Sequence, residues 1–410
     1  MKSFPPASRS CLAAAASCTA LIALSSIVTA ATAPAAPAAA DKPYKILKTT
    51  QVPSTGGLDY VTADSVNRRV YVASGSTVHV FDLDTYKEVG TLPNASGHGV
   101  AVDPENHTGL VSGTNAVFFN TKTLEVIKTI PARGADGYIF DAQNHHFLIL
   151  SHNAPNLLVI DSKDGSVVKS VAAIGPNGAN AAVEQGASDG EGHLFFDCST
   201  VVAVVDAKTL EVTGHYDLGG ATSAAGLAID AKNHILFAMC RGGASGAGPT
   251  CVILSSVDGK IITTLPLAGG SDGGGFNPNT MEAFSSTGNN GKNTGALTII
   301  KEKSPTEFVV EDNVETKSGA KTCTLDAKLD HIIVITQEAA PAPAAAAASG
   351  SASAPAASAA PAAASAPAGS AGAVASDAAS GRGGRAGGGR AGGGRGPAGP
   401  QLLDVIFVGR

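Results

Sequence analysis

The chain has no tryptophan and only three methionines, and aromatic residues make up 5% of its 410 residues. Without tryptophan there is no Trp-Asp signature of the WD40 repeat. The Trp-rich motifs that dock between the blades of quinone-cofactor dehydrogenases are missing for the same reason. Catalytic signatures are equally scarce: the sequence holds no Gly-x-Ser-x-Gly elbow and no Cys-x-x-Cys pair. Two Gly-rich stretches, GGSDGGG from Gly269 and STGNNGKN from Ser286, fail as phosphate loops. Asn293 follows Gly291-Lys292 where Ser or Thr is needed, and neither stretch leads into a helix. Positive charge is short as well. The net charge is −6, so the body of the protein is a poor general partner for nucleic acid.

Cysteine is sparse, and most of it lies late in the chain. Cys11 and Cys18 fall within an N-terminal pattern of a secretory signal. Lys2 and Arg9 precede an apolar run from Cys11 to Val28, and small residues follow at Ala30, Ala31 and Ala33. Residues 1–33 are therefore expected to be a signal peptide, cut after Ala30 or Ala33, with a linker at 34–43. A retained anchor competes, but the run is Ala- and Ser-rich and only weakly apolar. A lipoprotein reading through Cys18 is weaker, since Ala15 stands where Leu is wanted. The expected location is periplasmic or secreted, with no transmembrane span after cleavage. Cys198, Cys240, Cys251 and Cys323 then remain, an even number in an oxidising compartment. Cys240 ends one predicted strand and Cys251 opens the next, which makes this pair the disulfide candidate. The competing reading is buried inert thiols.

What the chain does have is repetition. A polar residue, an apolar run into Asp, a polar turn and a β-branched or aromatic run recur along it. The clearest copies are LDYVTADSVNRRVYVAS from Leu58, HGVAVDPENHTGLVS from His98, DGYIFDAQNHHFLILS from Asp136 and LAIDAKNHILFAM from Leu227. A period of roughly 40 to 50 residues with four short strands per unit predicts a β-propeller. The seventh unit lacks its last strand, while YKILKT from Tyr44 matches YKEVGT from Tyr86. Seating the N-terminal strand on the last blade closes the ring and removes two open edges. The expectation is an all-β protein: a seven-bladed propeller of four-stranded antiparallel blades over 44–338 and 401–410. Two stacked β-sandwiches would explain neither the repeat nor the split unit.

Residues 339–400 are Ala/Pro/Ser-rich and then Gly/Arg-rich, and are expected to form a disordered insertion in blade seven. Arg382, Arg385, Arg390 and Arg395 could meet phosphate backbones, but no aromatic residue is present for base stacking. Nucleic acid is thus a possible partner only through this tether, and solubility of a linker is the plainer reading. The basic tether is also expected to dock weakly, at low salt, on the acidic face of its own propeller.

The Asp-Pro-Glu-Asn turn and repeats such as RRVYVAS resemble the YVTN-type β-propeller repeat proteins of the YncE-like exported family. FNPNTMEAFSSTGNNGKNTGALTIIKEKSPTEFVVEDNV and the closing LLDVIFVGR are similar to the end of its bacterial members. The resemblance implies an exported seven-bladed propeller that binds a ligand, a surface or nucleic acid. It implies no catalytic set. The literal Tyr-Val-Thr-Asn quartet is absent, and the Arg/Gly-rich insertion departs from the usual shorter connection.

In a propeller, strand a of each blade lines the central channel. The residue five before each turn Asp, with Asn277 standing for it in blade six, is Asp59, His98, Asp136, Glu184, Ala225, Asp272 or Lys321. These positions are expected to ring one channel mouth, and Asp59, His98, Asp136, Glu184, Asp272 and Lys321 are the candidate binding residues. Carboxylate oxygen and imidazole converging there could hold a divalent cation through His98, Asp136, Glu184 and Asp272. The bland alternative is a solvated polar rim. Loops 241–250 and 288–295 and the tether should crown the same face. His107, His145, His193, His234 and His331 recur at one turn position and are read as structural. The sequence thus points to a monomeric binding or interaction module for a small molecule or envelope protein. A metal-dependent lactone or phosphoester hydrolase is the competing class.

Overall fold

The computed structural model describes residues 42–341 and 400–410. The expected signal peptide, nearly all of the expected linker, and the insertion apart from Ala339–Pro341 and Pro400 lie outside the described residues. The strands form seven four-stranded antiparallel sheets, and in six of them the four strands are consecutive in sequence. These are the blades of a β-propeller, as the repeat predicts.

Blade one shows why these residues make such sheets. Its strand a is Leu58–Asp64, b is Arg69–Ser74, c is Thr77–Asp82 and d is Glu88–Pro93. Both faces of b and c are covered by neighbouring blades, so these strands read as near-continuous apolar runs. Alternation sends the side chains to different neighbours. Val70, Val72 and Phe81 pack on Ile333, Val405 and Phe407 of blade seven, whereas Tyr71, Val80 and Leu92 pack on Val100, Val111 and Phe119 of blade two. Outer strands bury far less: in Val126–Pro131 only Ile130 is buried.

Turns on one face stitch the blades together. Asp103 accepts from the backbone N–H groups of Glu105 and Asn106, and the Asn106 amide donates to its other oxygen at 2.7 Å. The same arrangement recurs around Asp64 and Asp230. His107, His145 and His234 hold φ of 54°, 54° and 55°, the left-handed region that His tolerates better than most residues. His145 Nδ1 lies 3.1 Å from Asp103 of the preceding blade, and Arg68 of blade one pairs likewise with Asp326 of blade seven. At this turn position His145 and Arg68 therefore clasp neighbouring blades, whereas His193 pairs with Asp189 of its own blade.

Ring closure follows the predicted plan. Strand Lys45–Ser54 pairs antiparallel with Gln401–Gly409, from Lys45↔Gly409 to Ser54↔Gln401, and supplies strand d of blade seven. Strands a and b of that blade are Lys321–Asp326 and His331–Ala339. The Ala340 N–H donates to the Pro400 carbonyl at 2.9 Å, so the insertion leaves and returns through one pinched neck.

The expected Cys240–Cys251 bridge is corrected. Both are free, buried thiols, paired in register with Thr250 and Met239 respectively. Adjacent register positions face opposite sides of a sheet. Cys240 accordingly packs with Val252 and Leu254 toward blade four, and Cys251 with Met239 and Ile253 toward blade six.

Candidate functional site

The mouth on the side of the b–c loops collects the charge. Asp59 and Asp136 stand at register shifts in their strands, between Leu58 and Val61 and between Ala135 and Tyr138. A bulge re-aims a side chain, and both carboxylates reach the channel axis. A similar shift between Lys321 and Cys323 sets Lys321. His98, Glu184 and Asp272 come from the segments that lead into strand a of blades two, four and six.

The six sequence-predicted residues do converge, and two unpredicted bases join them. His98 Nδ1 lies 2.7 Å from Asp59 Oδ2 and 3.4 Å from Asp136 Oδ1. His152 Nε2 lies 3.1 Å from Asp136 Oδ2 and 3.4 Å from Glu184 Oε2. Arg241 spans Glu184 Oε1 at 3.8 Å and Asp272 Oδ1, and Lys321 Nζ spans Asp272 Oδ2 at 3.0 Å and Asp59 Oδ1 at 3.3 Å. The result is a closed wreath of alternating acids and bases. Each carboxylate gives one oxygen to the base on either side.

Ala225 takes no part. It stands in the same kind of register shift, between Ala224 and Leu227, but its methyl group is buried and carries no charge, and Ser223 lines the mouth beside it. Asp272 pairs with Arg241 and Lys321 among the wreath bases and meets neither histidine. Among the described residues, the His/carboxylate groups compact enough for an ion are Asp59–His98–Asp136 and Asp136–His152–Glu184. His152, which the sequence analysis did not name, belongs to the second of these groups, and Asp272 to neither.

Electrostatics follow from these contacts. The hydrogen bond to Asp59 raises the pKa of His98, and the close approach of Glu184 raises the pKa of His152, each against the opposing effect of burial. Burial works to raise Asp59, but the His98 hydrogen bond and the charge of Lys321 outweigh it and leave its pKa lowered. Glu184 is lowered in the same way through His152 and Arg241. Asp136 is raised, by burial and by neighbouring Asp59 and Glu184, in spite of both imidazoles. The side chains of His98, His152, Arg241 and Lys321 are 38–44% exposed, so each pair stabilises the fold by only about 0–1 kcal/mol. The wreath is accessible chemistry rather than a rivet.

Below it, side chains of strands a line a cavity of about 250 Å³. The Tyr60 hydroxyl donates to the Glu184 carbonyl at 3.1 Å, and its ring meets Tyr138 edge-on with centroids 5.7 Å apart. Gly99 is required here, because a Cβ would run into the Tyr138 ring. Gln185 spans strands a of blades five and six, accepting from Leu227 and Gly274 N–H and donating to the Gly274 carbonyl at 2.9 Å. Beneath Glu184, buried Asp197 accepts from the N–H groups of Glu184 and Gln185 at 3.0 and 2.8 Å. Its burial pushes its pKa up to about 8. Asp197 thus positions both a rim residue and a floor residue. Beside the wreath a cleft of about 910 Å³ opens between blades one and two, lined by Asp59, His98, Ser96, Thr114 and Asn115.

Fold and site together define a seven-bladed β-propeller with a charged mouth. Among solved structures it is similar to the RRP9 WD40 repeats, at 8% identity and a TM-score of 0.57, over 71% of this chain and 89% of that one. It is also similar to a chain of the mitotic checkpoint complex, at 13% and 0.59, over 74% and 93%. A chain of Kuenenia stuttgartiensis hydrazine synthase matches at 15% and 0.57, over 69% and 94%. Likeness at such identities concerns the fold alone. No protein-family model and no curated protein matches the sequence. Among the described residues no helix is long and apolar enough to cross a membrane.

Proposed function

We propose that this chain is an exported, non-enzymatic binding propeller of YncE-like type that takes its ligand or partner at the loop-rich mouth. The observation that carries this reading is the closed acid–base wreath at that mouth. It offers eight charged or titratable side chains at a solvent-accessible surface and is worth little to stability. Alternating charge with an adjoining hydroxyl- and amide-lined cleft suits a polar small molecule carrying both signs, or a charged loop of an envelope protein. Nucleic acid enters this reading only through the Arg/Gly-rich segment. The test is a thermal-shift and calorimetric screen of zwitterionic and polyhydroxylated compounds against the mature protein and its Arg241→Ala variant. Compounds that stabilise the former and not the latter are expected. Compounds acting equally on both would place binding elsewhere and sink the proposal.

One observation favours a second reading, a metal-dependent hydrolase of lactones or phosphoesters: the two His/carboxylate triads that share Asp136. An ion held there would polarise a bound ester and activate water.

A further inference from the structure

We propose that the mouth is a two-ion site for divalent metals of the imidazole-and-carboxylate class, with Asp136 as the bridging ligand. One ion would sit between Asp59, His98 and Asp136, the other between Asp136, His152 and Glu184. This inference rests on the mouth being the functional site, and it specifies the chemistry of that site.

The argument is geometric. Asp136 does not point at one neighbour. Its Oδ1 faces His98 at 3.4 Å and its Oδ2 faces His152 at 3.1 Å, so its two oxygens serve two separate gaps. Each gap is completed by a single imidazole nitrogen and a terminal carboxylate oxygen, with His98 Nδ1 2.7 Å from Asp59 and His152 Nε2 3.4 Å from Glu184. Donor atoms tetrahedrally placed at bonds of roughly 2.1 Å are about 3.4 Å apart. In each triad all donor atoms lie within 4.8 Å of one another, so small rotations close them around a common point.

A further observation concerns the imidazole nitrogen of the second gap. His152 Nε2 is shielded from solvent and close to two carboxylates, yet makes no well-directed hydrogen bond to either. A nitrogen that is enclosed and poorly served by hydrogen bonding is suited to a ligand bond. Behind it, Asp197 fixes the backbone of Glu184 through a hydrogen bond of 3.0 Å, the kind of support that keeps a ligand oriented.

Donor type selects the metal. One imidazole and two carboxylates per ion suit zinc, manganese, iron or cobalt better than calcium or magnesium, which favour all-oxygen shells. Three protein ligands per ion leave open positions on both. Arg241 and Lys321 flank the arc at Glu184 and Asp59, so a loaded site would present an electropositive gap to an anionic ligand.

The test uses the mature full chain, stripped with chelator, dialysed against Mn²⁺ and desalted. Bound metal is counted by elemental analysis, and coupling is read by electron paramagnetic resonance. Two equivalents per chain with an exchange-coupled spectrum are expected. His98→Gln and His152→Gln should each retain one equivalent with an uncoupled spectrum. Glu302→Gln, on the far face, should retain two. Asp136→Asn should lose the coupling; if that variant does not fold, the histidine variants carry the test alone. One equivalent or none in the unaltered chain, or coupling that survives His152→Gln, would overturn the inference. A ligand shift still abolished by Arg241→Ala in a chain that binds no metal would sink the two-ion site and leave the binding propeller standing.

Discussion

Arg241 follows the buried run ILFAMC, and its guanidinium holds Glu184 and Asp272 together at the rim. Removing it leaves two facing carboxylates without their shared base. Because Arg241 is 41% exposed, Arg241→Ala should destabilise the protein by no more than about 1 kcal/mol in urea melts. Its effect on ligand binding should be far larger, and a stability loss of several kcal/mol would show that the wreath is structural. A buried acid pair on the opposite face behaves differently. The Glu302 and Asp230 side chains share the Asn233 amide, at 2.9 and 2.8 Å. Burial, with the charge of Asp230, pushes the Glu302 pKa up to about 7. The folded chain then keeps a proton that the unfolded chain releases near 4.5. This stabilising contribution is complete below that pH and is lost as pH rises to about 7. Glu302→Gln should flatten the stability–pH profile across that window, by up to about 1.4 kcal/mol per unit. An unchanged slope would refute this account of Glu302. Six wreath residues were legible in sequence because strand a starts at the mouth in every blade. His152 and Arg241 were not: both stand eleven residues after a turn Asp, at the ends of strands b, where the other blades carry no ionisable side chain. Asp197 did leave a signal, a lone carboxylate inside the apolar run LFFDC.

At the scale of strands, closure was readable from the likeness of YKILKT to YKEVGT, and the pairing of Lys45–Ser54 with Gln401–Gly409 follows from it. Phe407 sits in the middle of that closure, fully buried, with its ring 4.6 Å from Tyr86. Phe407→Ala should cost about 3–5 kcal/mol in denaturant melts. A loss below 1 kcal/mol, on the order of a surface change, would mean that the last blade does not lock the ring. Bulges were the illegible part. They are single-residue slips that sequence periodicity passes over, yet they set Asp59 and Asp136 at the mouth. Alternation corrects the cysteines as well. Neighbouring register positions face opposite blades, so the four cysteines downstream of the expected cleavage site should react with a thiol reagent once the chain is unfolded without reductant. Two reactive thiols instead of four would restore a disulfide.

For the whole molecule, export is the part of the proposal with the most direct test. The N-terminus of protein recovered from the periplasm or medium should begin at Ala31 or Pro34, after cleavage at Ala30 or Ala33. A chain that keeps Met1 and stays in the cytoplasm would remove the exported reading. The ring also carries a constraint of parity. Seven blades giving one residue each form an odd cycle, and signs cannot alternate around an odd cycle without two like charges meeting. This propeller escapes because blade three contributes twice, through Asp136 and His152, making the count even. The near-repetition of the blades must therefore be broken at that one place, and deleting any one member returns the cycle to frustration. The defect could be moved around the mouth but not removed, so compensation should come in pairs: a second substitution that restores the even count, rather than one that restores the lost side chain's shape.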